Sequence, residues 1–124
     1  MAAAAIAGAT GVLIGAFAAH GLRASLDAKA LEWIDTGVRY QMIHAVALLA
    51  LGALSAFHRS RLMIWTGALW AVGILLFAGS LYILALTGWR PIVFVTPLGG
   101  TAFVAGWVLL LVVACRGGTG TNRR

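Results

Sequence analysis

Histidine is the side chain whose ordinary titration lies closest to neutral pH, and this sequence has three: His20, His44 and His58. His44 is the most informative. It stands near the head of VRYQMIHAVALLALGALSAF (38–57), a stretch otherwise long and apolar enough to cross a bilayer. Gln41 lies three residues earlier, on the same helical face. Ionisable groups inside a span turn toward the helix bundle or a water-filled cavity. The chemistry open to His44 is therefore proton handling, ligand binding or a hydrogen bond to another helix, and the last is the favoured assignment. Metal binding is disfavoured, since catalytic zinc takes three protein ligands and His58 falls at the other end of the span. No nucleophile elbow, phosphate loop or paired catalytic carboxylates occur. The expectation is a protein with no catalytic residues, no metal and no cofactor. The single Cys115 has no partner for an internal disulfide.

The elements that must position these residues follow from composition. Of the 124 residues 62% are hydrophobic and 10% charged, against about 25% charged in a soluble domain. A chain this short lacks the interior to bury so much apolar surface from water, and its apolar content excludes disorder. The net charge of +6 comes from bases scattered beside apolar runs, as juxtamembrane Lys and Arg are. No basic stripe with interleaved aromatics appears, which argues against a nucleic-acid partner.

Four runs are long enough to span: 2–22, 38–57, 62–86 and 97–115. The first lacks the basic head of a signal peptide and reads as a retained helix. Gly11 and Gly15 form GxxxG there, suited to close helix packing, and Gly79, Gly99 and Gly100 offer the same in the third and fourth runs. Residues 23–37 hold all three acids, Asp27, Glu32 and Asp35. Leu26, Ala30, Leu31 and Ile34 share one helical face there. This predicts a short amphipathic connector helix capped by Ser25, with Asp35 or Thr36 capping the second span. Thr96-Pro97 reads as the start of the fourth span, threonine as cap and proline at the first position. The glycine-rich segment 116–124 reads as a mobile tail. The fold class is all-α, a polytopic bundle of four transmembrane helices in a single domain.

With four antiparallel spans, one membrane face receives the end of the first and third and the start of the second and fourth. His20, Gln41, His44, Tyr82 and Thr96 then form a candidate polar cluster near that face. The opposite face collects five arginines (59, 61, 116, 123 and 124) against four bases, a slight bias toward cytoplasmic termini.

Four motifs, GAFAAHGL (15–22), YQMIHA (40–45), FAGSLYILALTG (77–88) and TPLGG (96–100), together resemble the domain of unknown function 423 family, itself similar to the eukaryotic transmembrane protein 256 group. Trp107 falls where the pattern carries an aromatic, while Ala18 replaces a frequent glycine. The resemblance implies a small four-helix membrane protein with a retained first span and no established catalytic residues. The eukaryotic relatives imply a mitochondrial membrane, and this compact chain a bacterial inner membrane. The functional expectation is a structural or accessory protein, with lipids and a membrane-protein partner or second copy as neighbours. The alternative is a module binding or transporting a small polar solute, anion or lipid head group at the polar cluster.

Overall fold

The computed structural model describes residues 1–57 and 59–117, so His58 and the predicted tail beyond Gly117 lie outside the described residues. These residues form α1 (Ala2–His20), α2 (Ala28–Leu54), α3 (Arg61–Gly73), a π-helical turn (Ile74–Ala78), α4 (Gly79–Thr87), a 3-10 turn (Arg90–Phe94) and α5 (Val95–Gly117). No strand occurs among them. α3, the π turn and α4 run on as one span, so four helical segments are long and apolar enough to cross a membrane.

α2 absorbs the predicted connector. Its cap is Asp27, whose side chain accepts from the Ala30 backbone N–H at 2.7 Å, while Ser25 turns back to the Leu22 carbonyl. Nothing then interrupts the helix. Asp35 pairs with Arg39 one turn on, at 3.0 Å, instead of capping, and Thr36 lies inside the same helix. The 27 residues of α2 extend about 40 Å, against a hydrocarbon core of about 30 Å. Its first turns, bearing Lys29, Glu32, Asp35 and Arg39, therefore project into the interface, where charged side chains stay hydrated.

α1 packs chiefly on α2. A Cβ at Gly11 would stand 2.8 Å from Met42 Sδ, and one at Gly15 3.3 Å from Val38. The GxxxG pair thus serves contact within the chain. The third span changes partner along its length. α3 packs mainly on α5, while α4 packs mainly on α2. The π turn lies between these halves. A π turn inserts one extra residue per turn, which rotates everything beyond it by about 100°. Buried Met63, Thr66, Trp70 and Gly73 occupy the first face, and Ser80, Leu81, Leu84 and Ala85 the second.

Glycines set the closest approaches. Gly99 lies so near the Phe77 backbone that a Cβ there would overlap it, and a Cβ at Gly106 would come within 2.5 Å of the Trp70 indole. Gly79 and Gly100 differ from the packing role expected of them. Nothing lies within 4 Å of a Cβ at Gly79, which borders an open groove, and at Gly100 only the edge of Phe77 comes within 4.0 Å. Gly88 ends α4 in the left-handed conformation at φ 67°, its N–H on the Leu84 carbonyl, which glycine alone adopts without steric cost. Thr96 lies within the first turn of α5, the 3-10 turn leading in directly, so Thr96 caps nothing and its hydroxyl is left for another helix.

Candidate polar clasps of the bundle

The five sequence-predicted polar residues divide among separate sites. Gln41 is 4% exposed and sits on α2 between two neighbours. Its amide Nε2 donates both protons to α1, one to the Ala7 carbonyl at 2.8 Å and one to Thr10 Oγ1 at 2.9 Å. Its Oε1 accepts from Tyr82 OH on α4 at 2.8 Å. The Thr10 hydroxyl in turn donates to the Ile6 carbonyl at 2.7 Å. One amide thus joins three spans. The antiparallel order of the spans brought Gln41 and Tyr82 together but not Thr10, a lone hydroxyl in the middle of an otherwise apolar run.

Gly37 explains how Tyr82 reaches this point. A Cβ there would stand 2.6 Å from the tyrosine ring, so only glycine lets the ring lie flat along α2. Tyr82 and Gly37 are thereby matched across the α2–α4 contact, and the phenol extends to Gln41 one turn further on.

His44 faces the opposite way, toward α5, and is 3% exposed. Trp107 Nε1–H donates to His44 Nε2 at 3.1 Å, and His44 Nδ1 lies 2.8 Å from the Tyr40 carbonyl. The first bond requires an unprotonated Nε2. The second then requires the proton on Nδ1, so the geometry selects the neutral Nδ1–H tautomer. The Phe103 ring stacks on the imidazole with centroids 3.6 Å apart, and Trp70 meets it edge-on at 6.1 Å. The Trp70 Nε1–H beside it is buried without a hydrogen-bond partner. Trp107 was visible in the sequence only as an aromatic of the pattern. Its place inside the span, away from the interfacial depth tryptophan prefers, was the available signal.

A third link joins α4 to α5. Ser80 Oγ and Thr96 Oγ1 are 2.7 Å apart, and Ser80 also donates to, or shares its proton with, the Phe77 carbonyl at 2.9 Å. That carbonyl belongs to the π turn, where the regular ladder is broken and backbone oxygens become available.

His20 joins none of these. It is exposed at the end of α1, ten residues or about 15 Å along the helix from Thr10. The Gln41 site lies near the middle of α1. Among the described residues, no three His, Cys, Asp or Glu side chains come together as metal ligands could.

These features define a class: a small polytopic helical membrane protein whose spans are joined by buried side-chain hydrogen bonds, with its outer surface in contact with lipid. Within that class the chain belongs to the family described as "Protein of unknown function (DUF423)", whose profile matches residues 14–100. It is 54% identical over 99 residues to a UPF0382 membrane protein of Haemophilus influenzae, covering 80% of this chain and 79% of that one. It is 45% identical over 113 residues to the UPF0382 inner membrane protein YgdD of Escherichia coli, covering 91% and 86%. A UPF0382 membrane protein of Staphylococcus saprophyticus is 46% identical over 98 residues, covering 79% and 81%. No solved structure matches. The chain is a multi-pass protein of the bacterial inner membrane.

Proposed function

We propose that this protein is a non-enzymatic structural or accessory component of an inner-membrane assembly. The observation that carries the reading is the commitment of its polar groups. Both Gln41 amide protons and both His44 ring nitrogens are engaged inside the chain, as is the Ser80–Thr96 hydroxyl pair. A residue that binds or transforms a solute must present an unengaged donor, acceptor or nucleophile to it, and these groups are turned to one another. A partner or second copy would meet the apolar outer surface, where α1 presents Val12, Leu13 and Phe17 and α5 presents Val104, Val108 and Leu111, all exposed.

The test is the assembly state in the native membrane. Chemical crosslinking before extraction, followed by purification in a mild detergent and native mass spectrometry, is expected to recover one membrane-protein partner, or this chain itself, in fixed stoichiometry. Recovery of the monomer alone from crosslinked membranes would overturn the reading. Saturable binding of a small polar solute, lost in Gln41→Leu or His44→Phe, would favour the solute-binding alternative instead.

A further inference from the structure

A pocket of about 340 Å³ opens between the end of α1 and the start of α2. α1 lines it with Gly15, Ala18 and Ala19, and α2 with Glu32 and Asp35. Arg23, in the link between the two helices, lines it as well. We infer that this pocket seats the head group of a phosphoethanolamine lipid, its phosphate on Arg23 and its ammonium on Glu32 and Asp35.

Three observations carry this. The first is a set of opposite charges that line one pocket without meeting across it. Arg23 makes no ion pair or hydrogen bond among the described residues. Glu32 engages Lys29 through Oε2 alone, and Asp35 engages Arg39 through Oδ2 alone, which leaves Oε1 and Oδ1 for an occupant. Both pairs are exposed, and exposed ion pairs hold their members weakly. A simple anion here would meet two carboxylates, and a simple cation would meet a guanidinium. A phosphate and a primary ammonium joined by a short ethylene link present each charge to its complement. The guanidinium fork suits a phosphodiester, and hydrogen bonds to charged groups are roughly twice as strong as neutral ones.

The second is depth. The 19 residues of α1 extend about 28 Å, nearly the hydrocarbon thickness of about 30 Å. Arg23 follows shortly after His20, the last residue of α1, and so stands at the level of lipid head groups. On α2 the lining runs from Ala28 to Val38, about 15 Å of helix. Its charged residues lie in the outer part of that length, and Val38 lies innermost. A phospholipid has the same gradation, charged head outward and glycerol and acyl chains inward.

The third is access. No α1 side chain lining the pocket is longer than a methyl group, and its floor is the close approach of Gly15 to Val38, where a Cβ would stand 3.3 Å away. Ala19, Arg23, Ala28, Glu32 and Asp35 are exposed. The pocket therefore opens outward, and a lipid enters from the bilayer without parting the helices.

The test reads head-group preference. The full chain, purified in mild detergent, is incubated with equal phosphatidylethanolamine, phosphatidylglycerol and phosphatidylcholine of the same acyl chains and examined by native mass spectrometry. The expected result is one retained phospholipid per chain, with phosphatidylethanolamine favoured about five-fold over each of the others. Phosphatidylglycerol lacks the ammonium, and choline lacks N–H donors. Arg23→Gln should lower the retained lipid about five-fold. The double variant Glu32→Gln, Asp35→Asn should retain lipid but lose the preference over phosphatidylglycerol. Ala19→Leu should lower retention by narrowing the pocket. These positions are exposed, so the melting temperature should be unchanged in each variant. An unchanged preference in the carboxylate variant would overturn the assignment, as would undiminished lipid in Arg23→Gln and Ala19→Leu. So would equal competition by soluble glycerophosphoethanolamine, which would give the pocket to a free aminophosphate instead of a lipid. The pocket shares no residue with the Gln41 and His44 sites, and lipid retention is read separately from partner recovery, so this inference and the proposed assembly role stand or fall independently.

Discussion

Gln41 illustrates how a polar side chain becomes tolerable within a membrane. An unpaired amide in hydrocarbon costs several kcal/mol, and here every strong donor it carries is used across a helix contact. Measured interhelical hydrogen bonds in membranes nevertheless average only about 0.6 kcal/mol, with a maximum near 1.7. Gln41→Leu should therefore destabilise the bundle by about 1–2 kcal/mol, and Tyr82→Phe by about 0.5–1. A double-mutant cycle between the two, followed by reversible unfolding in detergent, should give a coupling of about 0.5–1.5 kcal/mol. A cycle of zero would show that the 2.8 Å contact contributes nothing. His44 makes a different prediction. Nitrogen NMR of labelled imidazole should report the neutral Nδ1–H tautomer, and Trp107→Phe should shift the Nε2 resonance by removing its donor. A ring found as Nε2–H would contradict the Trp107 bond, because that nitrogen would then have no lone pair to offer.

At the scale of elements, the glycines separate into those pressed by a neighbour and those that are not, a distinction composition does not carry. Gly99 and Gly106 are backed by the Phe77 backbone and the Trp70 indole. Alanine at either should cost about 1–3 kcal/mol through overpacking. Gly79→Ala should be neutral or stabilise by up to about 1 kcal/mol, since alanine is the better helix former and meets nothing. Thermal unfolding of the three variants in one detergent checks the order. If Gly79→Ala were the most damaging, the open groove beside it would be wrong. The π turn has a similar logic. It re-aims the third span so that Trp70 faces α5 while Tyr82 faces α2. Deleting one residue from Ile74–Ala78 should restore a regular helix and rotate Tyr82 off Gln41, with loss of the coupling measured above.

For the molecule as a whole, orientation rests on charge. Counted along the sequence, Arg59, Arg61, Arg116, Arg123 and Arg124 flank the spans on the side of the α1 start and Arg23, Lys29, Arg39 and Arg90 on the other, five against four. Orientation follows the bias of Lys and Arg, which predicts the α1 start and the α5 end on the cytoplasmic side. Cys115, exposed at that end of α5, should resist an impermeant thiol reagent in intact cells and react after the inner membrane is opened. Labelling in intact cells would reverse the orientation.

Much of this architecture was legible in the residues. Apolar run length gave four spans, because no soluble packing hides such surface in 124 residues. Short polar breaks gave antiparallel order, and Gly11 and Gly15 marked a close helix contact within the chain without naming α2 as the partner. The connector was read as a separate helix because Ser25, Asp35 and Thr36 are all good caps. Cap chemistry states where a helix is able to begin, and the α2–α4 contact through Gly37 and Tyr82 lies beside the expected break. The polar residues were visible by type and the order of the spans grouped Gln41 with Tyr82, but Thr10, Ser80 and Trp107 were not read as partners. Gln41 and His44 are three residues apart and were grouped on one face, yet one turns to Thr10 and the other to Trp107, since a helical face is wide enough to touch two neighbours. The sequence by itself determined that the chain lives in a membrane, how often it crosses and which side chains had to find partners there. Only the tertiary structure decided which partners, because hydrogen bonds between spans depend on the rotation and depth of each helix. Those are set by close contacts at Gly37, Gly99 and Gly106 and by one π turn, none of which leaves a periodic trace in the chain.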